Sequence, residues 1–304
     1  MRARCGRGLL AALFGTVSLV CIGCTTSASQ SVTVGAPTVG PPSARALADV
    51  RRAISTTVHR TAGVSYLLAG AQVFGNTPTP VTGNGTFDLL QGFGSAVLWQ
   101  PSGQQSLVLT PSVVYTRVPL SGGAALPPGK TWMLASLTGS ESFATNFPQF
   151  VVQVEGFNPL LYLDEANWGA VSAAPLGPSQ INRAPAQGYL VKADLVRAIA
   201  NATSPTAASM SLAIKSELLA VGTGTGNGMN PTVDIRLWVD ASGRVVTIQG
   251  SPPGAGVGTT TITLSRFGVA VTVTKPALTT VIDIASLTPS GERENNGEIG
   301  RAHV

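Results

Sequence analysis

Residues 232–250 show the pattern that most limits how this chain can fold. TVDIRLWVD, Thr232 to Asp240, places Val233, Ile235, Leu237 and Val239 on one side and Asp234, Arg236 and Trp238 on the other. ASGR then turns the chain and RVVTIQG returns it. Successive side chains on a strand point to opposite faces, so such a run buries one row only by lying in a sheet with a covered face. The pattern recurs in GTFDLLQ, where Phe87 and Leu89 share a side, and in SAVLWQ, QSLVLT and VVYTRV, each bounded by Gly, Pro, Ser or Asn. QPSGQQ, Gln100 to Gln105, and PLSGGAALPPGK, Pro119 to Lys130, are hairpin-sized connections. GYLVKADL forms a further strand, and TTTITLSRFGVAVTVTKP supplies two more around Phe267 and Gly268. The sum is an antiparallel meander of about nine or ten strands.

Helical signals are fewer. Pro42 and Ser43 start a segment in which Leu47, Val50, Ile54 and Val58 recur at helical spacing, with Arg45, Asp49, Arg51 and Arg52 mainly on the other side. DLVRAIANA forms a short helix capped by Asp194. SPTAASMSLAIKSELLAV opens on Ser204 and Pro205 and carries an apolar stripe through Met210, Ile214, Leu218 and Val221. The stretch from Leu134 to Ser179 is broken by Pro148, Pro159 and several glycines and is the least legible part. Amphipathic helices must lie on something. The fold class expected is therefore α+β: a single, strongly curved antiparallel sheet, a half-barrel, with helices packed over its concave face. One domain, residues 43–286, accounts for all of it, and the polar, glycine-bearing residues 287–304 read as a disordered tail.

The N-terminus reads as an address. MRARCGRG is basic, LLAALFGTVSLVCIG is apolar and small residues follow, which is the layout of an export signal. The apolar run is shorter than the roughly 20 residues that span a bilayer. Cys21 and Cys24 have the spacing of a redox pair, but they lie at the end of a hydrophobic leader, and a reactive thiolate needs a folded scaffold. A metal site would need further ligands, and the histidines, His59 and His303, are distant. CIGC instead resembles the lipobox of bacterial lipoproteins, with Gly23 the last residue of a signal peptide (residues 1–23) and Cys24 the lipidated N-terminus. Cys21 stands where Leu is usual, a small hydrophobe filling an apolar slot. Ordinary secretion is the alternative. Residues 24–42, rich in Ser, Thr, Gly and Pro, then form a flexible tether. Lipidation makes the protein membrane-anchored and extracytoplasmic.

Composition removes several function classes. Of the 19 basic residues, Arg2, Arg4 and Arg7 lie in the leader, so the formal +5 falls to about +2 without it. The others are scattered with no aromatic-interleaved cluster, which argues against a nucleic-acid partner. Within the expected fold His59 is the sole histidine, and it ends the first helix, where the negative end of the dipole favours an imidazole. No GxSxG surrounds a serine. Asp164 and Glu165 are sequence neighbours, which are not natural acid/base partners, and an exposed loop or helix start is expected for them. GTGTGNG, residues 222–228, lacks the Lys-Ser/Thr of a phosphate loop, and DASGR, Asp240 to Arg244, lacks the later carboxylates of a calcium loop. The chain reads as a non-enzyme with no metal and no cofactor. What it offers is apolar surface: Phe87, Leu89, Val97, Leu107, Leu109, Val113, Leu161 and Leu237 are the candidates to line a hydrophobic cavity, or alternatively to fill a core.

Three groups of residues carry a family resemblance. The first is Tyr115 and Arg117 followed by Pro128, Gly129, Lys130 and Trp132. The second is Tyr189, Val191, Asp194 and Leu195, and the third is Leu237, Trp238, Asp240 and Gly243 followed by Phe267 and Gly268. Their order and spacing, over roughly residues 43–285, resemble the LppX/LprG-like lipoproteins of mycobacteria and related actinobacteria. The resemblance implies a half-barrel with helices across its concave face around a hydrophobic cavity. It also implies binding of acylated lipid or glycolipid, assistance to its transport in the cell envelope with envelope transport proteins as partners, and no catalytic set. The runner-up is a non-enzymatic interaction or assembly module of the envelope with a filled core.

Overall fold

The computed structural model describes residues 38–61, 63–74, 77–117, 126–137, 156–203, 232–250 and 258–287. The chain begins with helix α1 (Ala44–Thr61) and continues through β1 (Gly63–Phe74), β2 (Thr77–Asp88), β3 (Phe93–Gln100), β4 (Gly103–Leu109), β5 (Val113–Arg117) and β6 (Trp132–Ser136). Helix α2 (Pro159–Trp168), β7 (Ala170–Ile181), β8 (Ala184–Asp194) and helix α3 (Leu195–Asn201) follow. β9 (Thr232–Asp240), β10 (Val245–Gly250), β11 (Thr260–Ser265) and β12 (Val281–Asp283) complete it, with one-turn 3-10 helices at Leu278–Thr280 and Ile284–Leu287. The strands form one open sheet in the order β12-β6-β5-β4-β3-β2-β1-β11-β10-β9-β8-β7. Laid flat, twelve strands about 4.8 Å apart would span roughly 50 Å. A sheet this wide with one apolar face to bury curls over its helices. The expected architecture is observed.

Helices α1 and α3 form where the sequence places them, whereas α2 arises within the stretch that is least legible. Ser43 accepts the Ala46 N–H on its Oγ, and Val50, Ala53 and Ile54 of α1 face the core while its arginines face outward. Thr57 accepts the Val245 N–H on Oγ1 at 2.8 Å, tying α1 to β10. Asp194 caps α3 by accepting from the Arg197 N–H at 2.9 Å. Asn158 caps α2 in the same way, accepting from the Leu160 N–H at 3.0 Å ahead of a proline at the first turn. His59 lies in the last turn of α1 and is exposed. The helix expected from Ser204, the glycine loop at 222–228, the leader with Cys24, most of the tether and nearly all of the tail lie outside the described residues.

The structure refines the strand reading in three places. Every pairing in the sheet is antiparallel except that of β12 with β6, which is parallel, so the sheet is mixed at that edge. β1 and β7 emerge as full strands of 12 residues each, although neither alternates cleanly in sequence. β7 is an edge strand that bears Pro175 and Pro178 and two register shifts, features that disfavour pairing with another chain. The segment before α1 covers part of this edge, Gly40 N–H donating to Pro175 O and Ser43 N–H to Ala173 O.

Residues 269–277 are not a paired strand, which corrects the expectation of two strands around Phe267. Arg266 and Gly268, both at positive φ, turn the chain out of the sheet after β11. It then runs as an extended strap over the outer face, where Val273 packs against Val108, Tyr115 and Val281. Five strand spacings, roughly 24 Å, separate β1 from β6, and nine extended residues cover roughly 30 Å, so the strap reaches. Gly63 is required beneath it: a Cβ there would lie 2.0 Å from the Val269 carbonyl oxygen. At the far side Lys130 Nζ donates to Thr279 O at 3.1 Å and Thr131 N–H to Thr280 O at 2.9 Å. The Pro-Gly-Lys turn, with Gly129 at φ +80°, therefore serves to hold the strap.

Candidate functional site

The two faces of the sheet differ. The inner face and the helices share one continuous apolar cluster, whereas two smaller clusters lie on the outer face around Trp238 and around Val108 and Tyr115. The main contacts of α1 and α2 are with β7, β8 and β10, and α3 packs on α2 and β8. Yet the inner rows of β1 to β5 are buried as well, including Val64, Leu68, Val81, Leu98 and Val114. This half of the inner face is the candidate site.

The sheet separates the eight predicted liners. Phe87, Leu89, Leu107 and Leu109 lie together on the inner side of the β1–β5 half, while Leu161 of α2 and Leu237 of β9 join the same cluster under the helices. Val97 and Val113 do not. Val97 follows inner-facing Ala96 and precedes inner-facing Leu98, so the pleat turns it to the outer face. Val113 precedes inner-facing Val114 and packs in the outer cluster beneath the strap. Neither can line the interior, because a strand alternates its side chains with a period of two.

Glycines shape the inner face. A Cβ at Gly85 would fall 2.7 Å from the Tyr66 ring, one at Gly94 2.4 Å from Phe87 Cδ2, and one at Gly83 2.6 Å from Leu98 Cδ2. Each large side chain thus lies down over a neighbouring glycine rather than standing off the sheet. On the helix-covered half Tyr162 of α2 lies in the same way on Gly250, its Cε1 2.7 Å from where a Cβ would be. The result is a thin apolar lining, Gly83, Gly85, Gly94 and Ala96 alternating with flat aromatic and leucine side chains.

Three polar features interrupt the lining, and the sequence reading names none of their residues as site candidates except the acids it excluded. Tyr66, on β1 opposite Gly85 and Leu264, is 1% exposed, and its hydroxyl has no hydrogen-bond partner. Burial alone pushes its pKa up. An unpartnered buried hydroxyl costs about 1–3 kcal/mol. Further along the sheet, on β3 to β5, Gln105 Nε2 donates to Thr116 Oγ1 at 3.0 Å and Gln100 Nε2 to Gln105 Oε1 at 3.0 Å, a chain that runs from the buried Thr116 out to the half-buried Gln100. The period-two spacing of Val64, Tyr66 and Leu68 is the signal that could have found Tyr66, and the apolar Leu67 between them hides it.

The third feature corrects an expectation. Asp164 and Glu165 are not exposed: both lie in α2, 5% and 3% exposed, in the helix that faces the core. Burial first, and the Asp164 charge second, raise the Glu165 pKa to about 8. Glu165 is therefore largely neutral at pH 7. The short helix is buried nearly all round, so adjacency no longer sends one residue to water.

The resemblance motifs are structural. Asp240 accepts from the Ser242 and Arg244 N–H groups and pairs both Arg244 Nε and Nη2, and the Arg244 guanidinium stacks 4.4 Å above the Phe267 ring. DASGR is a turn, with Gly243 at φ +75°. Among the described residues no group of three or more His, Cys, Asp or Glu is placed to hold a metal ion, and no helix is long and apolar enough to cross a membrane.

Fold and site together define the class: an open curved sheet carrying helices on its inner side and a thin apolar lining between. No protein-family model matches the chain, and no curated protein matches it. Among solved structures it is similar to LprF from Mycobacterium bovis, at 16% identity over 78% of this chain and 100% of that one, with a TM-score of 0.40. It is similar to the Mycobacterium tuberculosis lipoprotein LppX at 13% identity, over 76% of this chain and 98% of that one, with a TM-score of 0.41. A LolA superfamily protein from Nitrosomonas europaea shows 8% identity over 75% of this chain and 94% of that one, with a TM-score of 0.26.

Proposed function

We propose that this chain is an extracytoplasmic lipoprotein, anchored to the cell membrane through Cys24, that binds an acylated lipid or glycolipid and assists its transport within the envelope. The observation that carries the reading is the thin apolar lining of β1–β5, in which Tyr66, Phe87 and Leu98 lie flat over Gly85, Gly94 and Gly83. Large side chains that stood upright would fill the interior themselves. Lying flat, they present a broad apolar surface to whatever lies above. Acyl chains suit such a surface, at roughly 0.8 kcal/mol per buried CH₂. Release then requires a covering element to move. The lipobox-like CIGC supports the location, and the resemblance in Tyr115–Trp132, Tyr189–Leu195 and Leu237–Gly243 supports the ligand class.

A second reading has its own observation. Phe87, Leu89, Leu107, Leu109, Leu161 and Leu237 belong to one continuous buried cluster, as in a filled core. The chain would then be an envelope assembly module working through its surface. Native mass spectrometry of the protein purified from a lipid-containing host separates the two. A bound species that dissociates as an acylated lipid is expected. Protein free of lipid from several hosts, together with no uptake of added lipid, would leave the filled-core module.

A further inference from the structure

We propose that the Tyr66 hydroxyl is the hydrogen-bond donor to the ester carbonyl of the bound lipid. This rests on the lipid-binding reading and adds the group that fixes the ligand in register. Tyr66 is the fourth residue of β1, between Gly85 of β2 and Leu264 of β11, with its ring held flat over Gly85. Its hydroxyl is buried and unpartnered, while the polar side chains further along the inner face, on β3 to β5, are committed to one another, Gln105 to Thr116 and Gln100 to Gln105. Buried hydroxyls normally find a partner, and an open one on a binding surface suits a ligand group.

The chemistry of the surroundings selects that group. Among the described residues no Lys or Arg is buried, and the buried ionisable side chains besides tyrosines are the carboxyls Asp164 and Glu165. An anionic phosphate would find no cation there, and a sugar would need several donors and acceptors where the β1–β5 lining leaves one hydroxyl open. The other buried groups without a partner among the described residues, Trp168 Nε1 and Thr247 Oγ1, lie away from it on α2 and β10. An ester carbonyl is different. It is a single uncharged acceptor attached directly to the acyl chain, so it must follow the chain into the apolar lining, and one phenolic O–H satisfies it. The site thus takes esterified acyl chains, with the headgroup lying away from Tyr66.

The test is a two-by-two comparison with the full-length chain. The probes are dipalmitoylglycerol and its dihexadecyl ether analogue, which share the free hydroxyl and nearly the same chain length but differ in the carbonyls. The proteins are wild type and Tyr66→Phe, with affinity read by displacement of a fluorescent diacylglycerol. Wild type is expected to prefer the ester about five- to tenfold, the worth of one buried hydrogen bond. Tyr66→Phe is expected to bind both equally, at the ether's affinity. Its melting temperature without ligand should equal or exceed that of wild type, because the ring on Gly85 is kept and the unpartnered hydroxyl removed. An unchanged ester preference in Tyr66→Phe, or no preference in wild type, overturns the assignment of Tyr66 alone. Failure of wild type to bind either probe overturns the lipid-binding reading and this inference with it.

Discussion

Glu165 shows how far a residue's setting departs from its chemical type. Its carboxyl is buried in α2 beside Asp164, and its pKa stands at about 8 rather than 4.5. A carboxyl raised in the folded state imposes no penalty below about pH 4.5, where both states are protonated. Stability is then lost as the pH climbs through that range and levels off above about 8, the region where the folded group finally ionises. Wild-type stability in urea is expected to decline by a few kcal/mol between pH 5 and 8.5, and Glu165→Gln to flatten that profile. An identical decline in both proteins would show that another group is responsible. Tyr66 and Val97 belong to the same scale. Both are apolar-bodied strand residues, yet one lies inside and the other outside. The deciding quantity is the parity of position along the strand, which the register sets.

At the scale of elements, capping and alternation are legible in the amino-acid sequence alone. Ser43 and Asp194 initiate α1 and α3 as expected, and β9 alternates as written. β1 and β7 are not legible in this way. In GVSYLLAGAQ the outer-facing Leu67 follows no polar rule, and in AVSAAPLGPSQI two prolines argue against a strand that is in fact an edge. The strap resembles a strand for a related reason. GVAVTVTK alternates because Val269, Val271 and Val273 do lie against a surface, and that surface is the face of a sheet rather than a neighbouring strand. Gly63→Ala is expected to push the strap off, since the new methyl would meet the Val269 carbonyl and Val271. The cost should be about 1–3 kcal/mol in denaturant, with faster proteolysis within 266–277. Unchanged stability and protease resistance would mean that the strap does not hold the outer face.

At the scale of the whole molecule, location and ligand are separate questions with separate tests. The anchor predicts a diacylglyceryl mass on Cys24 in protein extracted from membranes, lost in Cys24→Ala, which should accumulate as an uncleaved precursor. Release of the wild-type chain into the medium without added mass would favour ordinary secretion instead. Ligand binding depends on how the two halves of the inner face are covered. The described helices sit over β7, β8 and β10, and the glycine-backed lining lies on the other half.

The amino-acid sequence by itself determined that this chain builds a curved antiparallel sheet with amphipathic helices on one side; it did not determine the parallel pairing of β12 with β6. Periodicity, caps and turn residues are local properties, carried by neighbours within a few positions of one another. It also determined that chemistry is sparse, since a chain with two histidines and no nucleophile motif offers few catalytic arrangements. Only the tertiary structure decided which strand rows face inward, that Asp164 and Glu165 are buried, and that Tyr66 is left with an unpartnered hydroxyl above Gly85. Those outcomes depend on pairing between residues far apart in the chain, Tyr66 with Leu264 above all, and burial is a property of the surface that such pairings assemble.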